Sequence, residues 1–154
     1  MKSLLVVYSY HHHNTEKIAK VFANVLDAKI KMPQQVNPEE LQAYDLIGLG
    51  SGIDSEKHYQ VLLDLADILP PVTDKMAFIF STRAMLEVAK NHATLRNTLQ
   101  SKGYLIVGEF NCPGFNTNSF LRFFGGMNKG RPNAEDLKHA EDFAQNLKQT
   151  LEKT

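Results

Sequence analysis

The chain has 154 residues, with seventeen basic and seventeen acidic side chains, and a zero net charge argues against nucleic acid as its main partner because phosphate backbones attract clearly basic surfaces. A hydrophobic fraction of 43% and a charged fraction of 22% are ordinary for a globular protein, and the length suits one domain over residues 1–154 with a core of two or three layers. The single cysteine, Cys112, cannot form an internal disulfide, the apolar runs are too short to span a bilayer, and no basic and apolar leader precedes the first strand, so a cytoplasmic location with no membrane span is expected.

Ser3 to Tyr8 is an apolar run of strand length. It passes into the polar turn Ser9-Tyr10-His11-His12-His13, after which Ile18, Val21, Phe22 and Val25 recur on one face of a helix predicted over Thr15 to Leu26. Asn14 and Thr15 are favourable helix-capping residues. Such a junction makes an anion site: the first helical turn has N–H groups without intrahelical partners, and the aligned peptide dipoles leave positive charge there. Further strands are expected at Ala28 to Met32, Asp45 to Leu49, Lys75 to Phe80 and Tyr104 to Phe110, and further helices at Lys57 to Leu69, Leu86 to Ser101 and about Asn133 to Leu151. Asn37-Pro38-Glu39-Glu40 reads as the start of a one-turn helix, with Asn as cap and Pro at the first helical position. Five strands separated by helices imply an α/β fold, a doubly wound parallel sheet with helices on both faces.

Ligands of open parallel sheets sit beyond the carboxyl ends of the strands. Three turns of this sequence converge there: Ser9 to Thr15, then Gly50-Ser51-Gly52-Ile53-Asp54-Ser55-Glu56, then Ser81-Thr82-Arg83-Ala84-Met85. All are rich in small or hydroxylated residues, which leave backbone N–H groups approachable. That chemistry suits a flat, phosphorylated ligand better than a peptide.

The first junction, the run Asp45-Leu46-Ile47-Gly48-Leu49-Gly50-Ser51-Gly52-Ile53 and the triplet Phe80-Ser81-Thr82 together make the chain resemble the flavodoxins and flavodoxin-like FMN proteins over essentially its whole length. The resemblance implies a five-stranded parallel sheet of order 2-1-3-4-5 and noncovalently bound FMN. It places the phosphate among Ser9, Tyr10, His11, His12, His13, Asn14 and Thr15, and the flavin ring between Ser51, Gly52, Ile53 and Asp54 on one side and Ser81, Thr82, Arg83, Ala84 and Met85 on the other. Flavodoxin phosphate loops usually read Ser/Thr-x-Thr-Gly-x-Thr. Here Tyr10 and His12 stand at hydroxyl positions and His13 at the glycine, while a one-residue insertion lets Ser9 serve as the first hydroxyl. Imidazoles beside a dianionic phosphate are biased toward protonation. Where many relatives have an aromatic residue and a glycine, this chain has Asp54, Ser55 and Glu56, with Tyr59 as a candidate replacement for the aromatic.

What the resemblance implies for function is an FMN-binding redox protein transferring electrons between cytoplasmic partners. Flavodoxin carriers are usually acidic, whereas this chain is neutral, and Arg83 in a ring loop would favour negative charge on the reduced ring. Both features lean toward an alternative, an FMN-dependent reductase or oxidase acting on a small quinone or NAD(P)H. Arg83 paired with Glu87 on the following helix would remove that lean. A second alternative is a cofactor-free binding module on the same scaffold, for which the altered phosphate loop is the main support.

Three adjacent histidines lack the spacing of metal ligands, so the phosphate loop is the expected role and no metal site is expected. Cys112 is expected to be a quiet, partly buried thiol. Leu137, Ala140, Ala144, Leu147 and Leu151 form a core stripe on the last helix. Between Asn111 and Arg131, Phe115, Phe120, Leu121, Phe123 and Phe124 are too apolar for a free loop, and their cover is the domain's own helices, the flavin or a second protomer of a homodimer. Phosphoacceptor receiver domains need an acidic pair where Ser9 and Tyr10 stand and an acceptor Asp where Leu49 and Gly50 stand, so that reading fails.

Overall fold

In the computed structural model, which describes residues 1–9, 14–82, 88–112 and 132–153, the chain runs β1 (Ser3–Tyr8), α1 (Asn14–Leu26), β2 (Lys29–Lys31), two 3-10 helices (Pro33–Gln35 and Pro38–Ala43) and β3 (Leu46–Asp54). It continues through β4 (Lys57–His58), α2 (Gln60–Asp67), β5 (Met76–Thr82), α3 (Val88–Ser101), β6 (Leu105–Cys112) and α4 (Ala134–Glu152). The sheet order is β2-β1-β3-β5-β6, all parallel, with β4 paired antiparallel to β3. With the short hairpin strand set aside, this is the expected 2-1-3-4-5 order.

Alternation along the strands sends side chains to two separate cores. Leu4, Val6, Ile47, Leu49, Ala77 and Ile79 face α2 and α3, where they meet Leu62, Leu63, Leu65, Leu95 and Leu99. Leu5, Val7, Leu46, Phe78 and Phe80 face α1 and α4, where they meet Ile18, Phe22, Ala140, Ala144 and Leu147. A sheet buried on both faces is what right-handed crossovers between parallel strands produce.

The central strands run further toward their carboxyl ends than expected. Gly50 to Asp54, expected as a turn, belong to β3, because Tyr8 pairs opposite Ser51 on one side and Ser81 and Thr82 pair opposite Ser51 and Gly52 on the other. Two neighbours satisfy the backbone donors and acceptors of β3 that a free turn would leave to water. Beyond Gly52 the strand doubles back into β4, so the helix expected from Lys57 starts at Gln60. Similarly β5 reaches Thr82 and β6 reaches Cys112. The edge strand β2, with one neighbour, is shorter than the expected Ala28 to Met32.

The helix starts follow their capping residues. Asn133 Oδ1 accepts from the Asp136 N–H at 2.9 Å while Asp136 Oδ2 accepts from the Asn133 N–H at 2.9 Å, a reciprocal box at the start of α4. Asn37 Oδ1 accepts from the Glu39 N–H at 3.1 Å and Pro38 opens the second 3-10 helix. Among the described residues, no helix is long and apolar enough to cross a membrane.

One helix end is poorly suited to its residue. Asp27 follows α1 with φ 52°, the left-handed conformation in which glycine is preferred, and its carboxylate stands at the negative end of the helix dipole. Asp27→Gly should raise stability by about 1 kcal/mol, since the relieved strain outweighs the greater freedom of the unfolded chain. Urea unfolding checks this, and an unchanged or lower midpoint would show that the Asp27 conformation carries no strain.

Candidate functional site

The carboxyl ends of β1, β3 and β5 lie side by side, and the first turn of α1 is tied to two of them. The Ser9 hydroxyl accepts from the Glu16 N–H at 3.4 Å, so the residue after β1 occupies one of the unpartnered donors of the helix start. Thr15 is 2% exposed, and its hydroxyl lies 2.8 Å from that of Thr82, which is also buried. This bond joins the first turn of α1 to the last residue of β5. It also uses part of the hydrogen-bonding capacity of both hydroxyls. Asn14 opens α1 and is half-buried. Tyr10, His11, His12 and His13 lie outside the described residues.

The end of β3 is built as a tight hairpin. Ser51 is fully buried, donating to the Gly52 carbonyl at 2.6 Å and accepting from the Tyr59 N–H at 3.2 Å, so its hydroxyl fastens the base of the hairpin to the start of α2. Gly52 and Ile53 are half-buried and Asp54 is exposed. The turn is Ser55-Glu56, with φ of 52° and 65°, a conformation for which Asn-Gly is the favoured pair. Glu56 is held there by Lys90 of α3 at 2.9 Å. The Tyr59 ring packs on that of Tyr8, centroids 5.4 Å apart, which places an aromatic pair where the ends of β1 and β3 meet.

At the end of β5 the neighbouring residues Ser81 and Thr82 point to opposite faces, Thr82 toward α1 and Ser81 toward α3. Arg83, Ala84 and Met85, with Glu87, lie outside the described residues, as does 113–131 with its phenylalanines. Cys112 is buried in the α1 and α4 core at the end of β6. Ser9, Asn14, Thr15 and Thr82 are thus gathered at one junction, while Ser51 and Ser81 share a row on the other face, opposite each other in register.

Behind Ser81 lies a polar network that the pattern reading passed over. Ser81 Oγ is 2.6 Å from His92 Nε2, and His92 Nδ1 is 2.9 Å from Glu109 Oε1. Arg96 grips the same carboxylate with Nε and Nη2, both at 2.8 Å. A carboxylate can only accept, so neutral His92 donates through Nδ1 and takes the Ser81 hydroxyl proton at Nε2. Asn111 Nδ2 donates to Ser81 Oγ at 2.8 Å. Ser81 and His92 are both fully buried. Burial lowers the His92 pKa, with the Glu109 carboxylate working against that effect. Burial alone would raise the Glu109 pKa, but Arg96 and His92 together hold it below its ordinary value.

His58 of β4 packs on His92 with ring centroids 5.0 Å apart and donates from Nε2 to the Phe80 carbonyl at 3.0 Å. Burial, then the neighbouring His92, lowers its pKa to about 3. Among the described residues its Nδ1 has no hydrogen-bond partner, and neither does either amide atom of the buried Asn91. The missed signal is in the strand and helix patterns: Glu109 and Asn111 sit at the inward positions of an otherwise apolar strand, and Asn91-His92 begins the buried face that Leu95 and Leu99 continue.

No family model matches the sequence. The uncharacterized protein MJ0298 of Methanocaldococcus jannaschii is 44% identical over 148 residues, spanning 96% of this chain and 98% of that protein. Among solved structures, oxidised flavodoxin 2 from Bacillus cereus superposes with a TM-score of 0.73 at 19% identity, covering 97% of this chain and 99% of the other. A flavodoxin from the domain Archaea superposes with a TM-score of 0.69 at 14% identity, covering 99% of each. The fold is flavodoxin-like.

Proposed function

We propose, for a chain that belongs to the same family as Methanocaldococcus jannaschii MJ0298, that it is a redox protein binding one FMN at the carboxyl ends of β1, β3 and β5. The observation that carries this reading is the buried Thr15 to Thr82 bond, which holds the β5 strand end against the helix N-terminus where a phosphate would dock. The donors present suit a phosphate monoester: the N–H groups of the first turn of α1 and the hydroxyls of Ser9 and Thr15. Tyr8 and Tyr59 offer an aromatic surface at the neighbouring strand ends. Bound there, FMN would supply reversible electron transfer. The chain's part is to fix the phosphate, cover the ring and set the charge around it.

In this reading the protein exchanges electrons with a partner protein in the cytoplasm. A second reading, an FMN-dependent reductase or oxidase taking a quinone or a nicotinamide, is favoured by the zero net charge and by the ionisable network behind Ser81. The test is titration of FMN and riboflavin against the purified protein by flavin fluorescence. Riboflavin lacks the phosphate and should bind at least about tenfold more weakly, a loss of about 1.4 kcal/mol or more. Equal affinities would remove the phosphate site, and fluorescence unchanged for both would overturn the flavin reading.

A further inference from the structure

Ser81, His92 and Glu109 have the mutual geometry of a nucleophile, its base and the group that orients the base. Ser81 is fully buried inside a strand paired on both sides, so no substrate carbon can approach its Oγ. A proton can pass where a carbon cannot, because it moves along hydrogen bonds already made. We propose that Ser81, His92 and Glu109 form a buried proton relay in which His92 takes up one proton when negative charge arrives at the carboxyl ends of the strands. This deepens the flavin reading and rests on it, since reduction of a bound flavin is the source of that charge.

The network changes little when it gains the proton. In its neutral state His92 donates from Nδ1 to Glu109 and accepts the Ser81 hydroxyl proton at Nε2. The added proton ends on Nε2, because Nδ1 already carries the hydrogen that Glu109 accepts. The Ser81 hydroxyl gives its own proton to Nε2 and takes a replacement from water at the carboxyl ends of the strands. This leaves His92 protonated on both nitrogens, with partly exposed Glu109 as its counter-charge. Nε2 then donates, and Ser81 Oγ turns from donor to acceptor toward it, accepting also from Asn111. One proton is gained, none is lost and no bond between heavy atoms breaks. The replacement proton on the Ser81 hydroxyl points away from His92.

The charges around the ring set the threshold. Arg96 from α3 and Glu109 from β6 cancel, His58 from β4 is neutral, Ser81 from β5 and Asn111 from β6 are uncharged, and the Lys90 and Glu56 pair is exposed. An added proton therefore leaves one uncompensated positive charge in a buried place, which is unfavourable until a negative charge stands nearby. Glu109, already in contact, keeps the cost within reach. His58 Nδ1 and the Asn91 amide, without partners among the described residues, are polar atoms that an internal water would satisfy, and such a water would serve the same path.

Nitrogen-15 spectra of the histidine rings read the relay directly, with the His92 signals assigned by their loss in His92→Gln. Three states are compared at about pH 7: the protein alone, the protein with oxidised FMN, and the same sample reduced anaerobically with dithionite. The expected result is a neutral ring protonated at Nδ1 in the first two states and a ring protonated at both nitrogens in the third. Its proton affinity should rise at least about tenfold on reduction, one unit of pKa. Glu109→Gln, which keeps the shape and removes the charge, should abolish the uptake while FMN remains bound. Bound FMN with His92 neutral in both redox states overturns the relay alone. FMN that stays unbound, its fluorescence unquenched, overturns the flavin reading and the relay with it.

Discussion

Acidification from pH 7 to pH 4 is expected to cost the fold on the order of 3 kcal/mol through His58 alone. Burial, followed by the charge of neighbouring His92, lowers the His58 pKa from 6.5 to about 3. Between these two values the unfolded chain binds a proton that the folded protein refuses. Stability is therefore full above pH 6.5 and falls as the pH drops toward 3, by about 1.4 kcal/mol for each unit and each such group. His92 acts in the same direction, since its pKa is also lowered by burial. Glu109 adds a further loss below the ordinary carboxylate range, because its folded pKa is lowered. Urea unfolding at steps between about pH 4.5 and pH 7 measures the slope. His58→Gln retains an N–H for the Phe80 carbonyl and should reduce that slope by about one proton. An identical slope in the variant would mean that His58 is protonated in the folded protein.

Gly50→Ala should destabilise the protein by about 3 kcal/mol, more than most single methyl additions. A Cβ at Gly50 would fall 2.2 Å from Phe80 Cε2 and 2.3 Å from Cδ2. The Phe80 ring has nowhere to go: it is fully buried, meets Phe22 edge-on at 5.0 Å and stacks on Phe78 at 5.8 Å. Reduced backbone freedom in the unfolded chain returns at most about 1 kcal/mol. Phe80→Leu shortens the colliding side chain, so the double variant should lose at least about 1 kcal/mol less than the two single losses combined. Additive losses would show that the β3 backbone, rather than the Phe80 ring, resists the methyl group. Gly48 is in the same position beneath Phe78, with a Cβ contact of 2.4 Å. The glycines of Gly48-Leu49-Gly50 therefore leave room for phenylalanine rings on the α1 and α4 face.

Local pattern was enough for the frame of the molecule. Alternating apolar runs, helical periodicity and the caps at Asn37 and Asn133 act over a few residues, and these signals already implied parallel strands with helices on both faces. The helix start near Asn14 and Thr15 was legible for the same reason, since a helix start is a local event. Strand lengths were not legible. Whether Gly50 to Asp54 is turn or strand depends on Tyr8, Ser81 and Thr82 standing alongside, residues far away in the chain. The bond between Thr15 and Thr82 spans 67 positions and has no local signature.

The Ser81, His92 and Glu109 network was hidden by the same physics. Each member alone reads as a polar residue breaking an apolar pattern, and its meaning comes from partners on β5, α3 and β6 that meet only when the sheet is assembled. Burial then does what sequence spacing cannot: it removes water, fixes the ring tautomer through the Glu109 carboxylate and lowers the pKa of two histidines. The sequence by itself determined the layers and the place where the first helix starts, because hydrophobic periodicity and capping are short-range. The extent of the strands, the packing use of the glycines and the charge state of the buried histidines were decided by tertiary structure, because each depends on desolvation and contact between distant segments.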